Sequence, residues 1–235
     1  MVKSELIKRS PLRILENSIH GGVGPGNLGV IASRKGVGKT ACLVHIATDK
    51  LIQDKHVIHV SFSNKTDHII NWYEDIFKEI AKKRELESAI DVHDELIKHR
   101  VIMNFSQEGI TSDQILNSLD AMISHGKFAA DTIVVDGYDF NKADVEGIKK
   151  MREFAARLGI EIWISASLKS EEPLFDEKGF PHELKEYLGE IAVLITLKYA
   201  GDYVHLKLVK DHDDIPSRDL LLKLDPKTLL IAERN

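Results

Sequence analysis

Residues 33–40 read Ser33-Arg34-Lys35-Gly36-Val37-Gly38-Lys39-Thr40. An apolar run, Leu28 to Ala32, precedes this stretch, and a helix-like segment from about Lys39 to Gln53 follows it. The order is therefore strand, glycine-bearing loop and helix start. We predict that this unit sets the fold, because the loop pattern has a structural meaning only between such elements.

The loop has the chemistry of a phosphate-binding turn. Gly36 and Gly38 allow positive φ and bring backbone N–H groups close to a polyphosphate, while the free N–H groups of the helix start favour an anion. In this pattern Lys39 reaches the β- and γ-phosphates, and the Thr40 hydroxyl binds Mg²⁺. The pattern G-x-x-x-x-G-K-[ST] has glycine where this chain has Ser33, a small residue that we expect the loop to tolerate. The residues assigned to the nucleotide are Ser33, Arg34, Lys35, Gly36, Val37, Gly38, Lys39, Thr40 and Ala41.

A second strand is predicted to deliver a carboxylate to this site. Ala130 to Asp136 is an apolar run without alternation, which is typical of a strand buried on both faces of a parallel sheet. At its end, Asp136 is expected to complete the Mg²⁺ site that Thr40 begins. Asp139 is expected to cap the next helix. Ser165 should lie beside Asp136, where its hydroxyl either senses the γ-phosphate or, as we favour, bonds to the backbone.

The whole pattern predicts an α/β fold with a doubly wound, mainly parallel sheet flanked by helices. Strands and helices alternate along the chain, and residues 66–99 form a helical insertion. Four strand-like runs near the C-terminus are separated only by short turns and predict an antiparallel extension. They are Ile191–Leu197, Val204–Val209, Leu220–Leu224 and Leu229–Ala232. We expect residues 1–235 to form one domain, with 1–26 as an N-terminal arm and glycine-rich turn.

Composition narrows the class of protein. With 235 residues, 43% of them hydrophobic, the chain can bury one substantial core. Cys42 is the only cysteine, so an intramolecular disulfide is impossible and a reducing, intracellular setting is expected. No run approaches the roughly 20 apolar residues of a membrane span, so we expect a cytoplasmic protein with no membrane contact. The net charge of −5 does not favour nucleic acid as a partner.

His20 to Asn64 resembles the opening of the RecA-like ATPases, above all the KaiC/RadA group and the DnaB-type helicases. The shared features are a Gly-Gly-x-x-x-Gly turn, a strand, a loop ending in Gly-Lys-Thr, a helix and a strand ending in serine. DnaB-like loops also begin with a small residue followed by arginine, which matches Ser33 and Arg34. The resemblance implies a RecA-like P-loop fold, ATP and Mg²⁺ as ligands, and a homo-oligomer or protein partner that completes the site.

One departure from this family concerns the base that activates water. The family places a glutamate two residues after the strand that ends here at Ser61, whereas this chain has Ser63. Glu108 is the nearest acid in a suitable loop. A general base contributes roughly 10²–10⁴-fold to rate, so its loss leaves binding intact and slows hydrolysis.

Two further departures lie later in the chain. The KaiC group offers a Lys-x-Arg segment from an adjacent subunit, and this chain keeps the lysine as Lys210 but has His212 in place of the arginine. Lys169 to Lys178, where DNA-handling relatives carry binding loops, is rich in acids that repel phosphates. We interpret His212-Asp213-Asp214 as a solvated turn rather than a cation site, and we find no Cys/His cluster with zinc spacing.

Several functions remain open from the sequence. The first is an ATP- and Mg²⁺-binding switch or assembly component with weak or absent hydrolysis. The second is an active oligomeric ATPase whose base is Glu108 or comes from a partner subunit. The third is a partition-type ATPase, because Arg34 stands close to a lysine of that group, and the fourth is a scaffold with a vestigial loop.

Overall fold

The structure, a computed structural model, describes residues 2–62, 66–86, 89–106, 108–169 and 174–234. Nine strands lie within these ranges. In chain order they are β1 (Leu28–Arg34), β2 (Val57–Ser61), β3 (Arg100–Asn104), β4 (Thr132–Asp136), β5 (Glu161–Leu168), β6 (Ile191–Tyr199), β7 (Val204–Asp211), β8 (Arg218–Leu224) and β9 (Ile231–Glu233). They form one sheet in the order β3-β2-β4-β5-β1-β6-β7-β8-β9.

The sheet has a parallel part and an antiparallel part. The strands from β3 to β6 in sheet order are parallel, and β7, β8 and β9 continue the sheet in antiparallel pairing. In β4 the residues from Thr132 to Val135 are buried, as the apolar run predicted. The α/β class, the mainly parallel sheet and the antiparallel extension are confirmed.

Helices cover both faces of the parallel strands. They are α1 (Val2–Lys8), α2 (Leu12–Ser18), α3 (Lys39–Ile52), α4 (Thr66–Lys83), α5 (Ala89–Lys98), α6 (Ser112–Asp120) and α7 (Val145–Leu158). A π-helical turn (Ala121–His125) extends α6, and a 3₁₀ turn (His182–Tyr187) precedes β6. The apolar side chains of α1 to α5 pack on one face, and those of α6 and α7 pack on the other.

The helix that follows the glycine-bearing loop is buried on all sides. Nearly all residues of α3 are buried, because α1, α4 and α5 pack against it from outside. The helical insertion therefore shields the helix that begins at the loop. None of the helices in the described ranges has the length and apolar content that crossing a bilayer requires.

Helix caps position two of the connections at the carboxyl edge of the sheet. Thr111 caps α6 through a reciprocal capping box. The prediction that Asp139 caps α7 is wrong: the cap is Asp144, whose Oδ1 accepts a hydrogen bond from the Gly147 N–H at 2.6 Å. Asp139 instead closes a local turn by accepting from the Asn141 N–H at 3.1 Å, so the helix starts later.

Candidate functional site

The glycine-bearing loop joins the end of β1 to the start of α3. Gly36 has φ +82° and Gly38 has φ +124°, conformations that side chains rarely adopt. A Cβ on Gly38 would lie 2.3 Å from Leu224 Cδ2, whereas a Cβ on Gly36 would meet no atom within 4 Å. The loop conformation therefore requires glycine at residue 38 for two reasons, backbone angle and the close approach of β8.

Lys39 folds back over the loop that precedes it. Its Nζ donates to the Ser33 carbonyl at 3.1 Å and to the Arg34 carbonyl at 3.0 Å, and the side chain is nearly buried. Burial lowers the pKa of Lys39 to about 8, although the nearby Asp136 carboxylate favours the charged form. The Ser33 hydroxyl also lies 3.3 Å from Nζ, so the residue that departs from the glycine pattern is accommodated at the base of the loop.

The structure brings Thr40, Asp136 and Ser165 together from three separate elements. Thr40 Oγ1 donates to Asp136 Oδ2 at 2.8 Å, and Ser165 Oγ donates to Asp136 Oδ1 at 2.8 Å. The Ser165 hydroxyl in turn accepts from the Gly137 N–H at 2.8 Å. Both oxygens of the carboxylate are thus held by hydroxyl groups, and Ser165 bonds to the backbone as well as to Asp136.

This cluster lies where the connections of two neighbouring strands run in opposite directions along the sheet. The connection from β1 runs to β2 on one side of the sheet order, and the connection from β5 runs to β6 on the other. In parallel sheets a crevice opens at the carboxyl ends of such a strand pair, and ligands bind there. The glycine-bearing loop follows β1 and Ser165 is near the end of β5, so both border this crevice.

The remaining residues of the predicted nucleotide site differ in exposure. Arg34, Lys35 and Gly36 are exposed, and Val37 is half-buried. Ala41 is fully buried in the apolar core, so its side chain is not exposed at the loop. Two cationic side chains therefore lie at the mouth of the loop, and a third, Lys39, lies beneath it.

A buried histidine behind Asp136 was not predicted as part of the site. His59 lies on β2, on the same face as Ser61, and its Nδ1 is 3.0 Å from the Tyr73 hydroxyl of α4. Burial lowers the pKa of His59 to about 4, against the influence of the Asp136 carboxylate, so the ring is neutral at pH 7. The Arg100 guanidinium lies 4.2 Å from the centre of the Tyr73 ring. A polar residue in an apolar strand, two positions before Ser61, is the sequence signal that indicates this contact.

Other predicted site residues are not brought to the cluster. Ser63 lies outside the described residues. Glu108 is exposed, on the loop after the edge strand β3, and β2 separates that strand from β4. Lys210 is half-buried in β7, where its Nζ donates to the carbonyls of Leu188 and Ile191 at 2.5 Å each. Burial lowers the pKa of Lys210. The Lys210 ammonium is therefore bonded to backbone carbonyls of other residues in the same chain.

Comparison with known proteins does not assign the chain to a family. No protein-family model matches it, and no curated protein sequence matches it either. The function is therefore inferred from the geometry of the crevice: a lysine bound to loop carbonyls, a hydroxyl bound to a carboxylate, and a serine that holds that carboxylate.

Proposed function

We propose that this chain is a RecA-like nucleotide-binding protein that takes ATP and Mg²⁺ at residues 33–41 and Asp136, and that it hydrolyses ATP slowly or not at all. The observation that carries the proposal is the 2.8 Å hydrogen bond between Thr40 and Asp136, residues 96 positions apart. A helix-start hydroxyl and a strand-end carboxylate in direct contact are the pair that Mg²⁺ needs beside a phosphate loop.

The crevice is suited to a polyphosphate. Lys39 holds its three donors among loop oxygens, and the same ammonium can turn toward phosphate oxygens, which form stronger charge-assisted hydrogen bonds. The N–H groups at the start of α3 and the exposed Arg34 and Lys35 add positive potential at the mouth. The oxygen ligands of Thr40 and Asp136 fit Mg²⁺, which prefers hard oxygen ligands and keeps several waters.

Two features of the fold support the RecA-like assignment. One strand, β5, separates the loop-bearing strand β1 from β4, which ends in Asp136, and three antiparallel strands extend the sheet beyond β6. The RecA-like order of elements continues in the same way beyond the segment that matches His20 to Asn64, with an apolar strand closed by an aspartate and a set of terminal strands. Binding of ATP in the presence of Mg²⁺ tests the nucleotide site.

Weak turnover is proposed because of where the acidic side chains lie relative to the crevice. In the described part of the chain, the carboxylate that contacts Thr40 is Asp136, and it is already held as a prospective metal ligand. Glu108 is exposed. Its loop begins at the end of β3, about 10 Å from the end of β4, because two strand spacings of about 4.8 Å separate these strands. A missing base lowers hydrolysis by about 10²–10⁴-fold while leaving the binding groups in place.

The test measures ATP binding and ATP hydrolysis on one preparation. Calorimetric titration with ATP in excess Mg²⁺ should show one site per chain, and phosphate release should be slow or absent. Lys39→Ala should weaken binding by about 100-fold, because the charge-assisted bonds to phosphate are lost. Lys149→Ala, on α7 at the opposite face of the sheet, is the matched control and should bind as the wild type does.

Each outcome has a distinct meaning. Absence of binding heat in Mg²⁺ would overturn the proposal. Binding with rapid turnover would support the active-ATPase alternative, and Glu108→Gln would then test whether Glu108 is the base. Oligomer formation that depends on ATP, measured by light scattering, would support the switch or assembly role, and oligomers that ignore ATP would contradict it.

A further inference from the structure

A second polar cluster lies at the amino ends of the parallel strands, opposite the glycine-bearing loop. It contains His20, from the glycine-rich turn before β1, together with Asp211 and His212 at the end of β7. Asp211 pairs with Val193 near the start of β6, which lies beside the start of β1. The cluster is therefore at the amino edge of the parallel strands, whereas the glycine-bearing loop is at their carboxyl edge.

The Asp211 carboxylate is buried between two imidazoles. Its side chain is 1% exposed, with Oδ2 2.7 Å from His20 Nδ1 and Oδ1 2.8 Å from His212 Nδ1. In the described ranges both of its ion pairs are with histidines, which carry charge only when protonated. Buried carboxylates are compensated by a cation, either a protonated base or a metal ion.

The second ring nitrogen of His212 also faces an oxygen atom. Nε2 lies 3.2 Å from the Val23 carbonyl oxygen, so both ring nitrogens face oxygen acceptors. A neutral imidazole has only one N–H and cannot donate to both. A metal ion in this cluster would take the Nδ1 lone pair of His212 and leave Nε2–H to donate to the Val23 carbonyl. This arrangement is the one that orients metal-binding histidines in proteins.

We propose that His20, Asp211 and His212 bind a divalent transition-metal ion of the zinc type. Two imidazole nitrogens and a carboxylate are typical ligands of such ions, whereas Mg²⁺ and Ca²⁺ prefer oxygen. The candidate ligand atoms all lie within 4.8 Å of one another. Bonds of about 2.0–2.2 Å in a tetrahedral site place ligand atoms about 3.3 Å apart, so each Nδ1 moves from the carboxylate by about 0.5 Å.

The fourth position of this site faces solvent. The His20 side chain is 69% exposed, and it stands on a turn in which Gly21 and Gly22 both have positive φ. A water molecule or an exogenous ligand can therefore reach the ion. The ion ties the segment before β1 to the end of β7, which His212 already links to Val23 over 189 positions. Metal binding should stabilise the fold, because the three ligands come together only in the native state and the ion binds that state preferentially.

The test uses the full chain without any polyhistidine tag, freed of metal by a chelator and dialysis. Zn²⁺ should bind at one ion per chain and raise the thermal midpoint by about 5 °C at saturating metal. Co²⁺ should give the strong visible absorption of a four-coordinate nitrogen and oxygen site. Mg²⁺ at the same concentration should give neither the stabilisation nor the competition with Co²⁺.

Substitution by asparagine removes each imidazole ligand without straining the backbone. His20 and His212 have φ +49° and +55°, and asparagine tolerates this left-handed region. His20→Asn and His212→Asn should each weaken Zn²⁺ binding at least about tenfold. His125→Asn, at an exposed histidine outside the cluster, is the matched control and should keep the Zn²⁺ effect.

The outcomes separate this site from the proposed ATP site. Asp136→Asn should retain the Zn²⁺ stabilisation, because Asp136 lies at the other edge of the sheet. A protein that Zn²⁺ does not stabilise, or a His212→Asn variant that binds Zn²⁺ as tightly as the wild type, would overturn the proposal.

Discussion

The two edges of the sheet carry polar clusters that are assembled in different ways. At the carboxyl edge, most of the groups come from eight consecutive residues, and the backbone of a loop supplies many of them. At the amino edge, His20 and Asp211 come from distant parts of the chain and only their side chains contribute. A site built from contiguous backbone has a sequence pattern, whereas a site built by distant strand pairing has none.

The largest effects are expected when a binding residue at one edge is mutated and the affinities for both ATP and Zn²⁺ are measured. Lys39→Ala should reduce ATP affinity by about 100-fold and leave Zn²⁺ binding unchanged. His212→Asn should reduce Zn²⁺ affinity at least about tenfold and leave ATP affinity unchanged. Calorimetric titration of each variant with ATP and with Zn²⁺ measures all four affinities. Loss of both ligands in one variant would show that the two edges are not independent.

The glycine loop should be more sensitive to an added methyl at one position than at the other. Gly38→Ala should destabilise the fold by about 2–3 kcal/mol, because it combines a positive φ with contact against the buried Leu224. Gly36→Ala meets no neighbour and should cost about 1 kcal/mol. Urea unfolding of both variants measures the difference. Equal losses of unfolding free energy in the two variants would contradict the effect expected from the contact between residue 38 and Leu224 of β8.

The sequence predicts the carboxyl edge well because its signals are local. The apolar run that ends in Asp136 and the loop around Gly38 each specify their structure within a few residues. Asp139 and Asp144 show a limit of this approach, since either can begin a helix and only the length of the preceding turn decides between them. The burial of α3 depends on packing by α4 and could not be predicted from the pattern of α3 alone.

The amino edge shows a different limit. The sequence suggests a solvated turn at His212-Asp213-Asp214, an interpretation that pairs His212 only with the two acids that follow it. The structure instead buries Asp211 and brings His20 to it from the glycine-rich turn. No spacing rule connects these positions, because their distance is set by the order of β1, β6 and β7 in the sheet.

A smaller effect is expected from pH at the carboxyl edge. The pKa of Lys39 is about 8 in the free protein because the side chain is buried, and polyphosphate binds the protonated form. Binding is therefore coupled to proton uptake above pH 8, and ATP affinity should fall roughly tenfold between pH 7.5 and 9. Lys39→Arg, which stays charged, should show a flat profile over this range. A flat profile in the wild type would contradict the burial of a titrating lysine.

The smallest effect is expected at the serine that holds the carboxylate. Ser165→Ala removes one hydrogen bond to Asp136 and one from the Gly137 N–H, so the carboxylate is positioned less firmly. We expect the Mg²⁺ concentration needed for half-maximal ATP binding to rise about threefold, with ATP affinity at saturating Mg²⁺ nearly unchanged. A loss of ATP affinity at saturating Mg²⁺ would instead favour direct contact of Ser165 with the γ-phosphate.

The most direct test of the account is calorimetric titration with ATP in excess Mg²⁺ and again in EDTA, on the wild type and on Asp136→Asn. The account predicts one ATP per chain, with affinity at least about tenfold higher in Mg²⁺, because Thr40 and Asp136 hold the ion that bridges protein and phosphates. In Asp136→Asn the advantage of Mg²⁺ should disappear. Absence of binding by the wild type in Mg²⁺, or a Mg²⁺ advantage that survives in Asp136→Asn, would contradict the account.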